Sequence, residues 1–220
     1  ELAVEELRKS GRAKADKKAG RVAAEGIIII RTSADGKQSV MLEINSETDF
    51  VARDENFLAF ADAVATTALA TKTKDVQTLS ATVLAGSDMT IDEARHALIA
   101  KVGENINIRR IVMIDAATTI GTYLHGSRIG VLVQLDVDNM DLAKDIAMHV
   151  AASKPLVIQP SEVSADLVAK EKEIYLAQAA GSGKPQDIIE KMVAGKLKKY
   201  LDEISLVGQP FIKDPDTLVS

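Results

Sequence analysis

Two stretches of the sequence have the same order of a β-branched run followed by an amphipathic run, which indicates a duplicated α+β unit. Residues 40–44 correspond to residues 131–135, and residues 60–65 correspond to residues 146–151. Position 131 follows position 40 by 91 residues, but position 146 follows position 60 by only 86, so the first copy contains five extra residues. Because duplicated units bury similar cores, a length difference in one surface connection is more often functional than structural.

The extra residues lie in the connection over residues 48–56, which begins with Thr48, Asp49, Phe50 and Val51. No helical or strand period assigns Phe50 to a core. Its side chain either packs locally, as a loop phenylalanine usually does, or forms an exposed anchor for another protein. Asp54 is the better N-cap for the next helix, which excludes Phe50 as that helix's hydrophobic staple. Neutral variation in loop length is the alternative to a functional loop.

The pattern predicts a three-stranded antiparallel sheet with helices in each copy. In the first copy we expect strands over residues 26–32, 38–45 and 109–116, with Asp35-Gly36 as a hairpin turn. In the second copy we expect strands over residues 119–124, 129–136 and 204–207. Thr90 and Glu93 have the residue types of a capping box, and Gly103 suits the end of that helix.

The C-terminal part predicts an inserted helical hairpin. We expect Ser161 to cap a helix that ends near Ala180, and a second helix to end near Leu201 after a turn at residues 181–185. Apolar residues recur every three to four positions, which favours a coiled coil and pairing of two copies of the chain as a homodimer. The predicted domains are an N-terminal helix and linker (1–24), a first core subdomain (25–117), a second core subdomain (118–160 and 202–212), the hairpin (161–201) and the start of a C-terminal module (213–220).

Composition disfavours nucleic acid and membrane partners. The net charge is −5, the pI is near 5.3, and the aromatic residues are four Phe and three Tyr without Trp, which leaves little to neutralise phosphates or stack bases. The longest aliphatic run, residues 27–30, is too short to span a bilayer. The chain has no Cys and opens on a charged residue, so we expect a cytoplasmic location by default.

No catalytic, metal or cofactor motif has the required spacing, so we expect no enzyme activity, no metal and no cofactor. Gly183-Lys184 resembles part of a phosphate loop, but Gln178 and Pro185 occupy positions where that motif needs Gly and Ser or Thr. The acidic residues between 47 and 55 lack the spacing of a calcium loop. A metal-dependent hydrolase that uses this acidic loop remains a remote alternative.

The three histidines also lack the spacing of a zinc site. His96 and His149 lie in amphipathic helices, where a partly buried packing histidine is more common than a ligand. His125 precedes Gly126 in a tight turn, and we therefore expect it to be exposed.

Five separated motifs occur in order along the chain: Thr-Asp-Phe-Val at 48–51, Lys-Val-Gly-Glu-Asn-Ile-Asn-Ile-Arg-Arg at 101–110, His-Gly-Ser-Arg-Ile-Gly-Val at 125–131, His-Val-Ala-Ala at 149–152 and Leu-Val-Gly-Gln-Pro-Phe at 206–211. Together they closely resemble the bacterial translation elongation factor Ts family, from Lys9 to Val219. The resemblance implies a guanine-nucleotide exchange factor for the GTPase elongation factor Tu.

The resemblance also implies roles for particular residues. The motif that contains Asp49 and Phe50 would enter the GTPase domain near its switch region and disturb the magnesium and phosphate site, with Thr48 and Val51 beside them. Val102 would contact the same domain, and His125 would belong to a second subdomain that touches another domain of the partner. The hairpin would correspond to the coiled-coil module of the family.

Two departures from the family pattern limit these expectations. Only residues 1–10 correspond to the small N-terminal helical module, and the sequence ends before the final C-terminal helix of the family. We therefore expect contacts from those modules to be missing. The competing interpretation is a non-catalytic scaffold that dimerises through the hairpin, with the Phe50 loop packed on its own sheet.

Overall fold

The chain has an α+β fold, as the sequence predicts, and the computed structural model describes residues 11–220. The helices are α1 over residues 11–16, α2 (Asp49–Ala52), α3 (Glu55–Thr71), α4 (Val76–Ala81), α5 (Ile91–Val102), α6 (Met140–Ser153), α7 (Ala165–Ala180) and α8 (Gln186–Ile204). The strands are β1 (Glu25–Thr32), β2 (Gln38–Ser46), β3 (Asn107–Asp115), β4 (Ile120–His125), β5 (Ile129–Gln134), β6 (Pro210–Phe211) and β7 (Asp214–Leu218). Two short 3₁₀ helices cover Pro160–Glu162 and Leu206–Gly208.

The predicted N-terminal helix over residues 1–24 ends earlier than expected. Its first ten residues lie outside the described residues, and the helix ends at Asp16. Tight turns follow, in which the N–H of Lys18 donates to the oxygen of Ala15 and the N–H of Arg21 donates to that of Lys18. Gly20, which has a high conformational entropy cost in a helix, lies within these turns. Within residues 11–220 no helix combines the length and apolar composition needed to cross a membrane.

The first sheet has the predicted strands in the order β1-β2-β3, all antiparallel. Gly36 has a φ of +71° in the turn between β1 and β2, a conformation that favours glycine. One face of the sheet packs against α3 and α5. The core there includes Val40, Leu42, Ile44, Phe57, Phe60, Ala61, Val64, Ile91 and Ile99. The apolar residues of the amphipathic run over residues 60–65 are therefore part of this core.

The β4–β5 hairpin packs on the other side of β1 and β2. The N–H of Ile28 donates to the oxygen of Ser127 over 2.7 Å. A Cβ atom added to Gly130 would lie 2.6 Å from Cγ2 of Ile28 and 2.7 Å from Sδ of Met41. Glycine at this position therefore lets the hairpin backbone approach the sheet closely.

The second sheet differs from the prediction, because in the described part of the chain β4 pairs with β5 in a sheet of two strands. The expected third strand over residues 204–207 is wrong. Ile204 ends α8, Ser205 forms one parallel bridge with Val157, and a 3₁₀ helix begins at Leu206. The hydroxyl of Ser205 donates to the oxygen of Leu201, so the helical hydrogen bonding continues beyond the predicted helix end.

The helical hairpin forms from α7 and α8, but α7 begins later than predicted and α8 ends later, at Ile204 instead of near Leu201. Ser164, and not Ser161, caps α7, because the chain at Ser161 lies in a 3₁₀ turn and the Ser164 hydroxyl accepts from the N–H of Leu167 over 3.4 Å. Ala179, Ile189 and Val193 form a small buried cluster between the helices. The coiled coil, the duplication and the predicted domain boundaries stay predictions.

The chain divides into two compact units, one that ends at Ala147 and one from Met148 to Ser220. In the second unit His149 is fully buried. Its Nε2 lies 2.9 Å from Oε1 of Gln209, and its Nδ1 accepts from the N–H of Ile212 over 3.1 Å. Nε2 therefore carries the proton, and the ring joins α6 to the segment that leads into β6 and β7. The expectation that His149 is a packing residue is confirmed.

We expect His149→Leu to destabilise the second unit by about 2–4 kcal/mol, because it leaves a buried amide oxygen and a backbone N–H without partners. Hydrogen exchange of the Ile212 amide, measured by NMR, would report the loss directly. His125→Leu is the matched control, since His125 is exposed and the same substitution there should change stability by about 0.5 kcal/mol or less. Equal exchange rates in the two variants would contradict the structural role of His149.

Candidate protein-binding site around Phe50

The connection over residues 48–56 contains a single helical turn, α2, instead of an irregular loop. Thr48 is its N-cap, and the Thr48 hydroxyl accepts from the N–H of Val51 over 3.4 Å. Phe50 projects from this turn and is 81% exposed. The alternative in which the ring packs locally on its own sheet, which the scaffold interpretation included, is therefore wrong.

A carboxylate from a distant segment holds the start of this turn. The Thr48 hydroxyl donates to Oε1 of Glu104 over 2.6 Å, and the Thr48 N–H donates to Oε2 over 3.0 Å. Hydrogen bonds to a charged acceptor are stronger than neutral ones. The two bonds together form what we call the Thr48–Glu104 clamp.

The other side of the turn rests on the core of the first unit. Ala52 is buried in that core, and the half-buried Val51 packs against it. The hydroxyl of Ser46 donates to the oxygen of Thr48 over 2.9 Å. Phe50 therefore extends into solvent from a base that is fixed on both sides.

The start of α3 is fixed as the sequence predicts. Asp54 is the N-cap, and its carboxylate accepts from the N–H groups of Asn56 and Phe57. Hydrogen bonds from the Asn56 side chain and from these backbone groups hold the pKa of Asp54 below its ordinary value. The contribution of this cap to stability is therefore present above the ordinary carboxyl pKa and is lost as the pH falls through the lowered value.

The segment after α5 is anchored from the N-terminal side of the chain. The α5 capping box and the positive φ of Gly103 are confirmed. The Lys18 ammonium group donates to the oxygen of Gly103, and the Asn105 side chain donates to the oxygen of Arg21 over 2.8 Å. The N–H of Asn105 also donates to Oε1 of Glu47 over 2.7 Å.

The structure places the remaining predicted site residues in two locations. Val102 is half-buried against the core at the end of α5, two residues before Glu104, so the clamp joins its segment to the Phe50 turn. His125 is exposed at the end of β4, where Nδ1 lies 3.2 Å from the hydroxyl of Tyr123. Sequence analysis missed Glu104, Glu47 and Asn105 as anchors, although Glu104 and Asn105 lie within one of the motifs it identified.

The Phe50 turn combines an exposed aromatic ring with a fixed base. No group of three or more acidic or histidine side chains within residues 11–220 could hold a metal ion. The exposed ring stands beside an ion pair of Asp49 and Arg53, whose charged atoms are 3.0 Å apart. Large aromatic side chains on a fixed base are typical anchors of protein interfaces. The fold and the site therefore define an α+β protein with an exposed aromatic side chain on a fixed turn, a feature that is typical of protein-binding proteins.

Comparisons with known proteins identify the family. The model of the family described as elongation factor TS matches residues 47–220. The elongation factor Ts of Legionella pneumophila is 57% identical over 219 residues, which cover 100% of this chain and 75% of the relative. Those of Thioalkalivibrio sulfidiphilus and Methylococcus capsulatus are 54% and 55% identical, with the same shares of each chain covered. The chain belongs to the elongation factor Ts family of translation factors.

Proposed function

We propose that the chain is a guanine-nucleotide exchange factor that binds elongation factor Tu carrying GDP and promotes GDP release in the cytoplasm, in support of translation elongation. The observation that carries the proposal is the exposed Phe50 ring on its fixed turn. Membership of the elongation factor Ts family supports elongation factor Tu as the partner. The chain contributes binding free energy and no covalent chemistry, so it needs no cofactor, and no nucleic acid contact is part of the proposal.

In this mechanism the segment from Thr48 to Val51 enters the nucleotide domain of the GTPase. The Phe50 ring displaces groups around the magnesium ion and the phosphates, which weakens nucleotide binding. Because the Thr48–Glu104 clamp and the buried Ala52 already order the turn, little conformational entropy remains to be lost when the partner binds.

One aromatic ring cannot supply all of the required free energy. A thousandfold weakening of nucleotide binding requires about 4 kcal/mol of coupling, whereas burial of one Phe supplies roughly 1.5–3 kcal/mol. Other contacts must contribute, and Val102 and His125 are the proposed ones. The coupling is reciprocal, so GDP must weaken binding of this chain by the same factor.

Release of a fluorescent GDP analogue from elongation factor Tu, followed by stopped flow with and without the chain, tests the proposal. We expect release to accelerate with chain concentration and then saturate. We also expect excess GDP to displace the chain from the GTPase in a binding assay. An unchanged release rate at saturating chain, with binding confirmed, would contradict the exchange function.

A dimerising scaffold remains the second candidate function. Ile174 on α7 and Ile188 on α8 are exposed, so each helix of the hairpin offers an apolar side chain to a second copy. Sedimentation of the intact chain and of a hairpin deletion distinguishes the two functions. A dimer that becomes a monomer on deletion, without any change in GDP release, would favour the scaffold.

A further inference from the structure

We propose that Glu104 is a positioning residue for the exchange reaction, because it sets the orientation of the turn that carries Phe50. The inference rests on the proposed exchange function for its activity readout. The geometry of the clamp stands independently of that function. Glu104 does not have to touch the partner in order to act.

The turn is too short to hold itself in place. A helix of four residues has no stable isolated form, because nucleation costs more than so few hydrogen bonds return. Its internal cap, from the Val51 N–H to the Thr48 hydroxyl, is long at 3.4 Å. The bonds from Thr48 to Glu104 are shorter, at 2.6 and 3.0 Å, and their acceptor is charged. The external clamp is therefore the stronger restraint on the first residue of the turn.

Glu104 is itself held from both sides. On one side Gly103 adopts a φ of +84° and its oxygen accepts from Lys18. On the other side the N–H of Asn105 donates to Glu47, which immediately precedes Thr48. Glu47 and Thr48 are thus hydrogen-bonded to Asn105 and Glu104, respectively. This double connection fixes the direction from which the Glu104 carboxylate approaches Thr48. A side chain that only filled space here would not need this arrangement.

The chemistry of the clamp predicts how substitutions rank. A carboxylate offers an acceptor to each of the two Thr48 donors, and alanine offers none. An amide can still accept from the Thr48 N–H with its oxygen, while its NH₂ donates to a Thr48 hydroxyl that has turned to accept. We therefore expect Glu104→Gln to retain part of the positioning and Glu104→Ala to lose it.

We expect Glu104→Ala to reduce the acceleration of GDP release by about tenfold, with Glu104→Gln intermediate, as the loss of hydrogen bonds to a charged group predicts. In a Phe50→Ala background, Glu104→Ala should have little further effect, since there is no ring left to orient. An equal tenfold loss in both backgrounds would overturn the inference, because Glu104 would then act independently of Phe50.

Glu93→Ala provides a matched control for general stability. Glu93 makes the same kind of bonds to a threonine N-cap, because its Oε2 accepts from the Thr90 N–H over 2.8 Å and from the Thr90 hydroxyl over 3.1 Å. This pair lies at the start of α5, whereas Glu104 follows its end. We expect Glu93→Ala to leave GDP release close to that of the unsubstituted chain. A loss as large as that of Glu104→Ala would overturn the inference.

A second measurement does not depend on exchange activity. The N–H of Val51 donates to the Thr48 hydroxyl and that of Ala52 to the Thr48 oxygen, so hydrogen exchange of these two amides reports the order of the turn. Glu104→Ala should accelerate exchange at both by about tenfold in the free chain, and Glu93→Ala should not. If the unsubstituted chain does not accelerate GDP release from elongation factor Tu, but Glu104→Ala accelerates exchange of these amides, the proposed function fails while the positioning role stands. Unchanged amides would overturn the positioning role.

Discussion

Phe50→Ala is expected to remove most of the acceleration of GDP release, by roughly tenfold to a hundredfold, because the ring supplies about 1.5–3 kcal/mol when it is buried in the partner. The ring is 81% exposed in the free chain, so its removal should leave the folded state intact. Stopped-flow release of a fluorescent GDP analogue gives the rate, and thermal unfolding by circular dichroism checks the fold.

Val22→Ala is the matched control for this substitution. Val22 is 82% exposed and therefore loses a comparably accessible apolar side chain, and it lies outside the Phe50 turn. Release with this variant should equal that of the unsubstituted chain. A normal release rate with Phe50→Ala would refute the role of the turn, and an equal loss in both variants would point to general surface hydrophobicity instead.

Phe57→Ala should destabilise the first unit by about 3–5 kcal/mol, the usual cost of truncating a fully buried phenylalanine. Phe57 has no exposed surface and lies in the first turn of α3, in the same core that receives Ala52. Urea unfolding followed by far-UV circular dichroism measures the loss. Total stabilities of proteins are about 5–15 kcal/mol, so this one substitution removes a large share.

The neighbouring Leu58 supplies the control, because it is 41% exposed on the same helix. Leu58→Ala should cost far less than Phe57→Ala, since its side chain leaves no enclosed cavity. The comparison holds helix propensity nearly constant, as both variants place alanine in α3. Similar unfolding midpoints for the two variants would contradict the assignment of the α3 core face.

Local features of the fold were predictable because their causes lie within a few residues of sequence. The Asp54 cap, the Thr90 capping box and the glycine at position 103 each depend on neighbours no more than four positions away. The core stripe of α3 follows from helical periodicity alone. The absence of any such period left the exposure of Phe50 open, because a loop phenylalanine usually packs locally.

Features that depend on distant partners were missed or misplaced. The segment 204–207 has the composition of a strand, but α8 continues to Ile204, and in the described chain the β pairing of Ser205 is a single isolated bridge to Val157. Nothing near Thr48 in sequence indicates that its donors meet Glu104. Ser161 and Ser164 are equally good caps by residue type, and the 3₁₀ turn before Ser164 decides between them.

The Thr48–Glu104 clamp joins residues that are 56 positions apart in the chain. A synthetic peptide with the sequence of the Phe50 turn would therefore not adopt its shape, because half of the clamp would be absent. During synthesis on the ribosome, the same turn stays unformed until the end of α5 and Glu104 have emerged. The surface that would recognise a translation factor is thus completed only after most of the first unit has itself been translated.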